Sequence, residues 1–295
     1  MNLRIGSNLF LKKSILFLCT ACFLPMGMRA MQELVTMADS SVDKNMPLAT
    51  KVSGTPVVCC AIYGVLCKVQ KPAWLPDFLG PEKIQQDLFV YLEKENAKFT
   101  NAAAEAQPGK SWPKVVKAWL LGEIDGKQVC KLARKHIGLL DVPRYVAAGK
   151  AFEPEAAGYL VPIKENVDVL QECKKAGYTL VLVSNWRSDC LKPLVEQKTT
   201  KDVLALFDED KRFISEDLKM LTSNEAFFNR VKKSVNANKD GASRFFYLDI
   251  PLGQESLDAA QKVGMTPITV SPETSLAAQL AAQGVSMVDG TKNGK

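Results

Sequence analysis

The sequence predicts an α/β fold, a Rossmann-like parallel sheet with helices on both faces and a helical cap inserted after the first strand. Three observations carry this. From residue 158 onward, short runs rich in β-branched and aromatic residues alternate with helical patterns. Upstream, the apolar run from Pro56 to Ile62 breaks at Gly64, as a buried parallel strand does when it opens into a tight turn. Between the two, residues 71–157 carry helix signals and little strand signal.

Taken in order, residues 1–30 read as a signal peptide. Arg4, Lys12 and Lys13 precede the mostly apolar stretch Ser14 to Met28, and Met28-Arg29-Ala30 ends on a small residue. That stretch is shorter than the ~20 apolar residues of a spanning helix. The expectation is therefore an exported chain, periplasmic or extracellular, with no spanning segment once mature; anchoring through residues 14–28 is the alternative. The formal charge of +6 falls to +2 without the four basic residues of the leader. No basic stripe is interleaved with aromatics, which excludes nucleic acid as a partner.

Residues 31–55 are polar and read as a linker. Core segments are expected at 56–70 and 158–290, and the cap at 71–157. A strand is predicted at 57–62. Within the cap, Pro81 opens a helix carrying Ile84, Leu88, Tyr91 and Leu92 at helical spacing. Pro113 opens a second helix, Asp125-Gly126-Lys127 breaks it, and Val129, Leu132 and Ile137 mark a third. Lys131, Arg134 and Lys135 read as a solvated face. His136, the only histidine, falls in the same stretch and reads as a surface residue. Then a helix runs to Gly177, strands follow at 179–184, 213–215, 244–250 and 267–270, and helices lie between them.

Six cysteines follow the leader: Cys59, Cys60, Cys67, Cys130, Cys173 and Cys190. Export would permit disulfides, but the spacings suggest neither a disulfide framework nor a zinc site. The favoured reading is small buried hydrophobes. Side chains alternate faces along a strand, so Cys60 points away from a pocket at the tip and Cys59 lies two residues deeper. Trp112, Trp119 and Trp186 read as packing residues, with Trp186 also a candidate for the mouth of the site.

In such sheets ligands sit beyond the carboxyl ends of the strands. Four tips are therefore of interest, and their residues resemble, in degenerate form, the four motifs of the haloacid dehalogenase-like (HAD) hydrolases. At the first tip, Ala61-Ile62-Tyr63-Gly64-Val65-Leu66 resembles the motif that carries the nucleophile and the acid/base. Ala61 stands at the nucleophile position and Tyr63 at the acid/base position. At the second, the strand ending Ser184-Asn185 resembles the phosphate-binding motif. Beyond the third, Thr222-Ser223 stands where the family has Lys-Pro, and Lys219 is a displaced lysine candidate. At the fourth, Asp249 keeps one of two metal-binding acids, Ile250 or Gly253 replacing the other. Asp249 has two readings, a vestigial magnesium ligand or a cap of the next helix.

The resemblance implies phosphoryl transfer through an aspartyl intermediate with Mg2+. Ala61 offers no nucleophile, and a tyrosine with an ordinary pKa of about 10 is a poor acid/base near neutral pH. The expectation is thus an exported HAD-like pseudo-hydrolase, catalytically impaired, binding a small anionic ligand or a partner, with no cofactor. The alternative is a divergent HAD-like phosphatase using relocated residues, which would require Mg2+.

Overall fold

A computed structural model describes residues 55–71, 81–109, 112–138, 141–236 and 244–285. The leader, and all of the expected linker but its last residue, lie outside the described residues. No helix among the described residues is long and apolar enough to cross a membrane.

The chain enters at β1 (Val57–Cys60) and turns into β2 (Cys67–Val69). An all-helical stretch follows: α1 (Pro81–Glu93), α2 (Ala102–Glu105), α3 (Lys114–Leu120), α4 (Gly126–Arg134) and α5 (Val142–Ala148). A 3-10 turn leads into β3 (Leu160–Pro162), then α6 (Lys164–Lys175) and β4 (Thr179–Ser184). Next come α7 (Ser188–Glu196), α8 (Lys198–Leu204), β5 (Arg212–Ile214), α9 (Ser215–Leu218) and α10 (Glu225–Asn236). β6 (Phe245–Asp249), α11 (Gln254–Lys262), β7 (Thr266–Thr269) and α12 (Leu276–Ala282) complete the described fold.

Five strands form one parallel sheet in the order β5-β4-β1-β6-β7. β1 is central, with Cys60 opposite Leu182 on one side and Leu248 on the other. All four β1 residues are fully buried. Val58 and Cys60 face one apolar cluster with Leu170, Leu182 and Leu248. Val57 and Cys59 face another with Val181, Phe228 and Tyr247. Burial on both faces is why the strands read as continuous apolar runs rather than alternating ones. The architecture is therefore the one expected: a parallel Rossmann-like sheet with helices packed on it and a helical insertion after the first strand.

The inserted helices hold a core of their own. Ile84, Leu88 and Leu92 recur every fourth residue along α1 and pack with Val116 and Trp119 of α3 and Val129 of α4. Asp125, read from sequence as a helix breaker, is also a helix starter. Its Oδ1 accepts from Gln128 N at 2.7 Å while Gln128 Oε1 accepts from Asp125 N at 3.2 Å, a reciprocal cap on α4.

Two strands have no counterpart in the sequence expectation. β2 and β3 pair antiparallel, Cys67 opposite Pro162, and bracket the helical insertion. Each is three residues long, too short to display a period.

Candidate functional site

Parallel strands end on one edge, so the tips of β1, β4 and β6 arrive together beneath the inserted helices. The amide of Ala61 donates to Leu248 O at 3.0 Å, holding the β1 tip beside β6. The chain then turns at Gly64, whose φ of 76° suits glycine. A Cβ there would lie 2.3 Å from Ile250 Cγ2, so this turn rests directly against the residue after Asp249. Gly253 is equally close on the other side, where a Cβ would lie 2.2 Å from Asp249 Oδ2.

A cavity of about 300 Å3 lies between these tips and the helices. Ser184, Thr222, Asp249 and Ser256 form its polar end, and Ala61 also lines the cavity. Aromatic side chains surround the rest, among them Tyr63, Phe89, Trp112, Trp119, Phe152 and Trp186. Trp112 and Trp119, read from sequence as packing residues alone, thus line the cavity as well. Trp112 lies tilted against Phe89 at 5.5 Å and Trp119 meets Phe152 edge-on at 5.2 Å, so the rings brace one another.

The polar end is joined by a run of hydrogen bonds. Ser215 Oγ donates to Asn185 Oδ1 at 2.6 Å, and the amide of Thr222 donates to the same oxygen at 2.9 Å. Asn185 Nδ2 donates to Thr222 Oγ1 at 2.7 Å, and Thr222 Oγ1 lies 2.7 Å from Ser256 Oγ. The Ser256 side chain interacts with the Tyr247 hydroxyl, and that hydroxyl donates to Asp249 Oδ2 at 2.7 Å. Asp249 Oδ1 accepts from Ile250 N at 2.8 Å. Four neutral side chains, two from helices and two from loops, thus gather beside Tyr247 and the carboxylate it bonds. Burial lifts the Asp249 carboxyl to about 6, against the pull of its bonds to Tyr247 and Ile250 N. Burial also raises the Tyr247 hydroxyl well above its ordinary value.

Of the sequence candidates, Ala61, Tyr63, Ser184, Asn185 and Asp249 all line the cavity. Ser184 Oγ accepts from Trp186 N at 2.9 Å, which fixes the turn after β4. Asp249 does not cap α11; it holds the next amide in the chain, and the N-cap of α11, Gly253, offers no side-chain cap.

Lys219 is the correction. It is absent from the lining and reaches the inserted helices instead, Nζ donating to Leu121 O at 2.7 Å and lying 3.5 Å from Glu123 Oε1. Its backbone is left-handed, φ 53°, the only non-glycine case among the described residues. That conformation ends α9 and turns the side chain toward the C-terminal end of α3, where a cation is favoured. His136 is also not a free surface residue, because its Nε2 lies 2.7 Å from Oε1 of buried Glu95.

The donor set does not fit magnesium. An octahedral oxygen site needs one or two available carboxylates with water or phosphate. The chain has Ala61, Ile250 and Gly253 where the resemblance would place further ligands, which leaves Asp249 alone of that set. No group of three His, Cys, Asp or Glu residues suited to a metal occurs among the described residues. An anion is served no better. The lining lysine, Lys150, is exposed, whereas Asp249 and Glu255 both bring negative charge.

Cys59 and Cys60 are fully buried, and burial raises both thiols well above their ordinary value, so neither is a nucleophile in this fold.

No protein-family model matches the chain, and no curated protein matches it. Solved structures similar to it include a HAD family enzyme from Bacteroides thetaiotaomicron, in complex with magnesium and inorganic phosphate. That pair is 14% identical with a TM-score of 0.46, over 76% of this chain and 98% of the other. Another is a HAD phosphatase from Thermococcus onnurineus, 14% identical, TM-score 0.42, over 79% and 100%. A third is an archaeal beta-phosphoglucomutase from a Pyrococcus strain, 16% identical, TM-score 0.41, over 75% and 89%. Likeness at this level carries no argument about chemistry.

Proposed function

We propose that this chain is a non-hydrolytic ligand-binding protein on a HAD-like scaffold, exported by its leader. The observation that carries the reading is Ala61 at the β1 tip, facing a polar end whose side chains already bond one another. Phosphoryl transfer depends on a nucleophile and on positive charge where negative charge develops. At this tip a methyl group replaces the nucleophile, and Thr222 is a neutral hydroxyl engaged with Asn185 and Ser256. A ~300 Å3 aromatic-walled cavity falls at the small end of the ~300–1,000 Å3 typical of small-molecule sites.

The test is a turnover assay on the full-length protein with p-nitrophenyl phosphate and excess Mg2+. The expected result is no release above an enzyme-free blank. Turnover that requires Mg2+ and disappears in Asp249→Asn would establish the divergent-phosphatase alternative.

A further inference from the structure

The cavity has an electrostatic character opposite to that of a phosphate pocket, and we infer that it takes a compact organic cation, an ammonium group on an aromatic or other apolar body. This rests on the ligand-binding reading above and names the ligand class for the same site.

Three features point the same way. First, the polar end contains Asp249, whose Oδ2 accepts from the Tyr247 hydroxyl. A carboxylate has about four acceptor positions on its two oxygens. Tyr247 and Ile250 N occupy one on each, leaving capacity for a donor from the cavity. An anion arriving there would meet an acceptor and a like charge.

Second, the charges around the cavity are placed for a cation. Asp249 is buried, and Glu255, at the start of α11, also lines the cavity. Lys150 is exposed, so its charge is screened by solvent. Lys117, a buried cation, is not in the lining. Its Nζ donates to the carbonyls of Gln107, Pro108 and Gly109, and its charge faces Glu255. Burial holds the Asp249 carboxyl high, and an ammonium beside it would favour the ionised form.

Third, the walls suit a positively charged group with an apolar body. Three of the four tryptophans in the chain line this one cavity. Aromatic faces attract cations, most strongly where water is excluded. The braced rings also offer flat apolar surface to the remainder of the ligand.

A matched series tests this on the unaltered full-length protein: 2-phenylethylamine, 2-phenylethanol and 3-phenylpropionate, followed by tryptophan fluorescence. The expected order is ammonium first, tighter than the alcohol by about tenfold or more, with the carboxylate weakest. Asp249→Asn is expected to abolish the amine's advantage over the alcohol, whatever the variant does to the affinity of the alcohol itself. Equal binding of amine and alcohol, tighter binding of the carboxylate, or no binding by all three would overturn the inference. An amine preference that persists in Asp249→Asn would overturn its assignment to that carboxylate. None of these outcomes bears on the absence of hydrolysis, which the phosphate assay decides separately.

Discussion

Asp249 is the residue on which both the chemistry and the stability of the site turn. Its carboxyl is held at about 6 in the folded protein, against about 3.9 in an unfolded chain. The folded state therefore keeps a proton that the unfolded state releases between about pH 4 and 6. By linkage, stability from this group is full below about pH 4 and is lost as pH rises through about 6, by up to about 3 kcal/mol. Glu95 runs the opposite way. Its bond to His136, with nearby Lys135, lowers its carboxyl, so that contribution is present at neutral pH and lost in acid. The comparison that isolates Asp249 is consequently wild type against Asp249→Asn. At pH 7.5 the variant is expected to melt higher, by about 2–4 °C for each kcal/mol relieved. At pH 4.5 the gap should narrow. Thermal melts at both pH values check this, and a gap that is equal at the two would contradict it.

At the scale of elements, what matters is how the inserted helices are fastened over the strand tips. Lys117 on α3 gathers the carbonyls of residues 107–109. That short segment in turn accepts from Leu221 N at 3.1 Å and from Ser223 Oγ at 3.2 Å. Lys219 holds Leu121 O, and Arg187 Nη1 donates to Ile124 O at 2.7 Å. Lys117→Ala leaves those carbonyls without their cation. It is expected to raise amide exchange in residues 101–109 and 221–223, while amides of β1, β4 and β6 keep their protection. Hydrogen exchange with mass spectrometry reads both sets; an equal rise in the strands would mean the latch is part of the global core.

These fastenings also mark where sequence reading stopped. The strand ending in Ser184 and the one ending in Asp249 were legible because a sheet covered on both faces leaves long apolar runs. Asn185, Ser215, Thr222 and Ser256 were not legible as a group, since 71 residues separate the first from the last and only the fold joins them. Lys219 stands near the expected motif position, but the left-handed backbone that swings it outward has no signature in a lysine.

Over the whole molecule, three apolar clusters divide the work: one on each face of the sheet and one among the inserted helices. The cavity lies where the helical cluster meets the strand tips, so its shape depends on both. The six described cysteines are distributed among all three clusters, and every one is buried and free of a disulfide. Burial pushes Cys67 up to about 12 and Cys173 up to about 11, so little thiolate exists near neutral pH. Iodoacetamide at pH 8 is therefore expected to leave these six sulfurs unmodified in the native protein and to alkylate them all in urea, as intact mass would register. Because each cluster carries its own sulfurs, the order in which peptides acquire the label becomes a clock for which part of the molecule opens first.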